Sequence, residues 1–171
     1  MKKLLLILLC LPMIGFGQKT YVPDDNFEQA LINFGLDNNL DDSVLTSSID
    51  TVTILNLDYN DISDLTGIED FNSLENLRCR SNLLTSLDLS SNTLLYDLDC
   101  DYNNITSLNL SNNTMLYSLN CIGNQLTCLN LKNGNNSNLE ILEATDNPNL
   151  TCIEVDDANY SNANWLNNSF F

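Results

Sequence analysis

Asp97, Asp99 and Asp101 alternate along one short stretch, and about twenty residues before them stand the chain's two arginines, Arg78 and Arg80. Carboxylates on every second residue of an extended segment project to one face, where they could offer calcium hard oxygen ligands. Arginines on the same face would be fixed forks for a partner's carboxylates. Six cysteines, at 10, 79, 100, 121, 128 and 152, add thiol chemistry. Histidine is absent, which removes the commonest general base and the commonest metal ligand together. No Ser-His-Asp set is possible and no glycine-rich phosphate loop is present. The sequence therefore reads as non-enzymatic, with no cofactor and no dedicated metal-ligand set.

Charge narrows the partners. Twenty-three acidic residues against six basic ones give a net charge of −17, so the surface repels phosphate backbones and anionic lipid heads. Nucleic acid is excluded as a partner and a protein is favoured.

The first 17 residues, MKKLLLILLCLPMIGFG, read as a signal peptide: two lysines, an apolar run from Leu4 to Ile14, then small residues at a cleavage site. That run falls short of the roughly 20 apolar residues a bilayer needs. No stable membrane insertion is expected, and the product is secreted or displayed at the cell surface. Cys10 belongs to the signal.

What positions the aspartates and arginines is a repeat. Coils beginning at Val52, Leu74, Leu95, Leu116 and Leu139 share one frame, apolar-x-x-apolar-x-apolar-x-x-Asn-x, which has the form of a leucine-rich repeat. A chain that turns one coil every 21 or so residues stacks its strands about 4.8 Å apart, so each frame position becomes a column through the molecule. Inward columns must be apolar. The asparagine column, Asn60, Asn82, Asn103, Asn124 and Asn147, marks the turn after each strand, where an amide can satisfy buried backbone groups. A second column reads Leu57, Cys79, Cys100, Cys121 and Ala144. Leucine at one end and alanine at the other make it an apolar slot, in which a free cysteine behaves as a small hydrophobe. Cys128 and Cys152 occupy matching places in LTCL and LTCI, within possible disulfide reach in an exported protein. The sequence does not say whether their side chains face each other.

The fold expected is a β-dominated α/β solenoid of about five coils, with parallel strands on the concave face and a helical N-terminal cap. Residues 18–50 form the cap, 51–157 the repeats and 158–171 a C-terminal cap in which Trp165 and Phe170 cover the last coil. In YVPDDNFEQALINFG a helix starts at Asp25, with Glu28 completing a capping box, and stops at Gly35. Phe27, Ala30, Leu31 and Phe34 share its apolar face. LTSLDLSSN (84–92) and ITSLNLSNN (105–113) alternate and predict a second strand-like side. DLTGIEDFNSL (64–74) suits a short helical turn instead, through Ile68 and Phe71.

Taken together, YVPDDNFEQALINFG, DLTGIEDF, the LTSLDLS…LDC…NNIT phrase and NLTCIEVDDANYSNANW make the sequence resemble the internalin-like leucine-rich repeat proteins. It looks closest to the secreted bacterial group exported by the type IX secretion system. The resemblance covers nearly all of the chain after the signal and implies a solenoid used for adhesion or protein contact. Members often carry a C-terminal sorting domain, which this sequence does not show before Phe171.

On the concave face the frame places Asn56, Asp58 and Tyr59; Arg78 and Arg80; Asp97, Asp99, Asp101 and Tyr102; Asn120; and Glu143. These residues read in two ways. One is a mixed-charge strip that binds a host or surface protein, with the tyrosines as aromatic anchors. The other is a salt-bridge lattice that relieves repulsion in a non-binding scaffold. Calcium-assisted glycan binding through Asp97, Asp99 and Asp101 is a further alternative, against which stands a solvated acidic face. A monomer is expected.

Overall fold

The computed structural model describes residues 17–165, so the signal peptide through residue 16 and Phe170 lie outside the described residues. The elements run β1 (Lys19–Tyr21), α1 (Asp25–Asn33), β2 (Ser43–Leu45), α2 (Thr46–Ile49), β3 (Ile54–Asn56), β4 (Asn76–Arg78), β5 (Asp97–Asp99), β6 (Ser107–Asn109), β7 (Ser118–Asn120), β8 (Cys128–Asn130), β9 (Ile141–Glu143), β10 (Cys152–Glu154) and α3 (Ala158–Asn164). They build a β-solenoid of about five turns. Strands β3, β4, β5, β7 and β9 form a parallel sheet in that order, with Leu55, Leu77, Leu98, Leu119 and Leu142 direct partners along it. All five are 2% exposed or less. Each contributes about 1.5–3 kcal/mol through burial, and that repeated term keeps the coils in register.

A second parallel sheet, β6, β8 and β10, closes the far side of the coils. It begins only in the third coil: residues 84–92 follow the same path without forming a strand. In the first coil the equivalent stretch makes a single 3-10 turn, Ile68–Asp70, with Ile68 and Phe71 buried as the sequence suggests.

The cap is built differently from the expected capping box. Asp24, one residue earlier, caps α1 by accepting from the Asn26 and Phe27 N–H groups, both at 3.0 Å. Its other oxygen accepts from the Ser63 N–H, the Ser63 hydroxyl and the Asp64 N–H, tying the helix to the first coil. Burial pushes this carboxyl up, and the hydrogen bonds from Ser63, Phe27 and Asp64 outweigh it and hold it below the usual carboxylate range. Glu28 does not turn back to the helix start. It is fully buried and accepts from the N–H groups of Asp41, Asp42 and Ser43. Phe27 packs on Phe71 with ring centroids 6.3 Å apart, and Ala30 and Leu31 are buried beside it, whereas Phe34 at the helix end is 52% exposed. Gly35, at φ +74°, ends the helix as expected. At the other end Asp157 caps α3 and Trp165 is buried.

Candidate functional site

The outward face of the five-stranded sheet begins at a turn that each coil makes in the same way. Tyr59, Ser81, Tyr102, Gly123 and Asp146, the residues just before the five asparagines, all have φ between 52° and 65°. The sequence signals this left-handed column only through Gly123 and Asp146, the residue types in it that favour positive φ. It swings each following asparagine inward. Asn103 is typical: Oδ1 accepts from the Leu84 N–H of the preceding coil, and Nδ2 donates to Cys79 O, Cys100 O and Asp101 O at 2.9–3.2 Å. Asn82, Asn124 and Asn147 repeat the arrangement. Asn60, in the first coil, donates only to Asp58 O. Behind the turn, Cys79, Cys100 and Cys121 are free thiols at 0% exposure. Burial, reinforced by nearby Asp99, Asp58 and Asp101, pushes the Cys79 thiol far up; burial also raises Cys100, and with Asp101 takes Cys121 up to about 12. None offers a thiolate near neutral pH.

On the outward face the residues singled out from the sequence are linked in chains. Asp58 accepts from the Arg80 N–H at 2.9 Å and pairs with Arg78 Nε at 3.6 Å; Arg78 also reaches Asp99 at 3.7 Å. Asp97 accepts from the Asn76 amide at 2.9 Å. Asn56 accepts from the Asp58 N–H, Asn120 is half-buried and Glu143 is exposed.

Two of the three aspartates are not the solvated row expected. Asp99 and Asp101 are buried, at 8% and 6% exposure. Asp99 accepts from the Asp101 N–H and Asp101 from the Ile122 N–H at 2.7 Å. Strands this close leave the inner carboxylates sheltered by the neighbouring rows, and backbone N–H groups replace water. Burial raises the Asp101 carboxyl above its ordinary range, with Asp99 adding repulsion and the Ile122 N–H partly offsetting both. Oxygens committed to separate backbone and side-chain donors do not converge on one ion.

Among the described residues, two other clusters bring three ligand atoms within 4.8 Å: Cys128, Cys152 and Glu154, and Asp25, Glu28 and Asp42. In the first, Cys128 and Cys152 are cross-strand partners, Cα atoms 4.5 Å apart, joined as a disulfide. In the second, Glu28 is already engaged by three N–H groups.

Arg80 is held differently from Arg78. Its guanidinium carbon lies 5.0 Å from the centre of the Tyr102 ring, and its Nε is buried with no hydrogen-bond partner. The other side of that ring is closed by Gly123, where a Cβ would come within 2.7 Å of Tyr102 Cδ1. Arginine, ring and glycine thus stack across three coils, and Tyr102 is still 47% exposed. Tyr59, at 68% exposure, stands two coils away at the same turn. The arrangement can present rigid aromatic area beside a guanidinium; no nucleophile–base pair assembles on it.

No family model matches the chain. Internalin J of Listeria monocytogenes serotype 4b (strain F2365) is 36% identical over 73 residues, which are 43% of this chain and 8% of that protein. Among solved structures, the functional domain of InlJ from Listeria monocytogenes, which includes a cysteine ladder, superposes with a TM-score of 0.67 at 34% identity. The match covers 81% of this chain and 33% of that one. The internalin inlF from L. monocytogenes str. 4b F2365 superposes at 0.57 with 20% identity, over 79% and 44% of the two chains, a likeness of fold. The chain spans about a third of the InlJ structure.

Proposed function

From the premise that this chain is an internalin-like leucine-rich repeat solenoid, homologous to internalin J, we propose that it binds a protein partner through the outward face of its five-stranded sheet. The observation that carries this is the Arg80–Tyr102–Gly123 stack. A ring fixed on both sides loses little entropy on binding, and aromatic and arginine residues of this kind dominate interface energies. The partner is a protein outside the cell, on a host or a neighbouring surface, and the mature chain acts as a monomer. Asn56, Asp58, Asn120 and Glu143 form the polar surround.

A scaffold reading draws on one specific observation, the bridging of Asp58 and Asp99 by Arg78, which neutralises charge without any partner. The two readings separate on one variant. Surface and host proteins are captured with the mature chain, and the affinity of the recovered partner is measured for Arg78→Ala with Arg80→Ala. Binding through this face predicts a loss of affinity of about 2 kcal/mol or more, beyond any fall in melting temperature that follows when Asp58 and the buried Asp99 lose the Arg78 guanidinium. Unaltered affinity with a slightly lowered melting temperature supports the scaffold.

A further inference from the structure

Just before the strands of the same sheet runs a second column, Glu75, Tyr96, Tyr117 and Glu140, whose backbones are joined coil to coil by N–H donation to the preceding carbonyl. Tyr96 and Tyr117 stack with ring centroids 4.9 Å apart and planes 6° from parallel. The Tyr117 hydroxyl donates to Glu140 Oε2 at 2.8 Å, which fixes that carboxylate beside the rings. Two exposed aliphatic side chains, Leu94 at 47% and Met115 at 55%, lie in the turns that lead to these tyrosines, and Tyr96 is itself 47% exposed. A groove of about 320 Å³ runs between Tyr96, Met115, Tyr117, Asn135, Asn138 and Glu140.

This ridge is apolar at its centre and acidic at both ends, and no ion pair among the described residues uses Glu75 or Glu140. Isolated exposed hydrophobes need no explanation, but Leu94, Tyr96 and Met115 clustered around the Tyr96–Tyr117 stack, beside carboxylates without an ion-pair partner, do. The missing complement is a cation carried on an apolar stem.

We propose that the Leu94–Tyr96–Met115–Tyr117 ridge is a second docking surface, separate from the face proposed above, and that it takes an extended peptide in which arginine or lysine alternates with aliphatic residues. The guanidinium or ammonium group lies against the tyrosine rings and pairs with Glu140. The aliphatic residues cover Leu94 and Met115.

The probe is an acetylated, amidated pentapeptide of alternating leucine and arginine. It is titrated into the whole mature chain in roughly 0.3 M salt, which screens the bulk attraction of so acidic a protein. Saturable binding is expected, weakened at least about tenfold by Tyr96→Ser with Tyr117→Ser, which leaves the net charge unchanged, and about threefold by Glu140→Gln. Met115→Ser, at an exposed position, weakens it in the same direction and serves if the tyrosine pair disturbs the fold. Arg78→Ala with Arg80→Ala leaves pentapeptide binding intact, so failure here and failure of the other face are told apart. Equal binding by the tyrosine and Met115 variants would reduce the effect to bulk charge and overturn the proposal. So would saturable binding of cellohexaose in place of the peptide, or no binding of the pentapeptide.

Discussion

At the bend after the five-stranded sheet, Asn82, Asn103, Asn124 and Asn147 use both ends of the side chain; at the bend that closes each coil on the far side, Asn92 and Asn113 use one. Asn92 donates to Ile68 O and Phe71 O and Asn113 to Leu89 O and Asn92 O, while the Oδ1 of each is buried without a partner. Asn133 extends this second ladder by donating to Asn113 O, and its Oδ1 accepts from the Asn135 N–H and the Asn136 amide. In the middle coils, then, the first ladder is fully paired and the second half-paired, with Asn60 and Asn133 as the exceptions at the ends. A polar ladder locks neighbouring coils only so far as its groups are paired. The candidate binding face stands on the better-paired side, where Tyr102 is flanked by Arg80 and Gly123. The half-paired side carries a covalent tie instead, the Cys128–Cys152 disulfide across its last strand pair.

The largest effect is expected in the core that backs the better-paired bend. Cys100→Asp places a carboxylate at a position of 0% exposure and should destabilise by about 5 kcal/mol, whereas Cys100→Ala should cost about 1–2. Denaturant midpoints measure both, and rapid alkylation of Cys79, Cys100 and Cys121 in the native protein would contradict their burial.

The comparison itself is tested by one matched pair. Asn103→Ala strands the buried Leu84 N–H and takes one of two donors from Cys79 O, Cys100 O and Asp101 O, and should cost about 3 kcal/mol; Asn113→Ala strands no N–H, also removes an unpaired oxygen and should cost about 1. Equal losses would show that the two ladders support the coils alike.

A smaller effect sharpens the charge side of the same bend. Because the folded-state pKa of Asp101 is raised, folding is favoured by its protonated form; that stability is complete below the unfolded carboxylate pKa and is lost as pH rises through the folded value. Asp101→Asn keeps an acceptor for the Ile122 N–H and removes the buried charge. Its melting temperature should rise by about 2 °C at pH 7, and the gain should vanish below about pH 3.5. A gain unchanged across that range would mean that charge is not the cause.

Much of this was legible because a repeat states each position several times over. The Leu-x-Cys and Asn columns recur in adjacent coils, so the inward face and the turn asparagines follow from the frame, and the outward residues follow by alternation. Less was legible at the second bend, although Asn92, Asn113 and Asn133 also recur at about one coil's spacing. Their signal is diluted by neighbouring serines and asparagines such as Ser91 and Asn112, which look the same and stay exposed. Of the aromatic pairs, Tyr59 and Tyr102 were found because they sit beside the frame's asparagine. Tyr96 and Tyr117 were not, because the position before a strand is otherwise filled by Thr53, Glu75 and Glu140 and carries no consistent type.

The sequence by itself determined the solenoid, its coil length, its apolar columns and which residues turn outward, because stacking forces every coil to solve the same packing problem at the same positions. Tertiary structure alone decided what the polar groups outside the asparagine column do. Glu28 stands at a capping-box position and is claimed instead by N–H groups 13 to 15 residues away. Asp24 joins the helix to Ser63, 39 residues on, and Asp99 and Asp101 sink while Asp97 stays half-exposed. Burial of an apolar side chain needs only the right side of a column, which a period can specify. A carboxylate or a ring must meet particular donors at about 3 Å, and which donors arrive depends on segments that become neighbours only when the coils have closed.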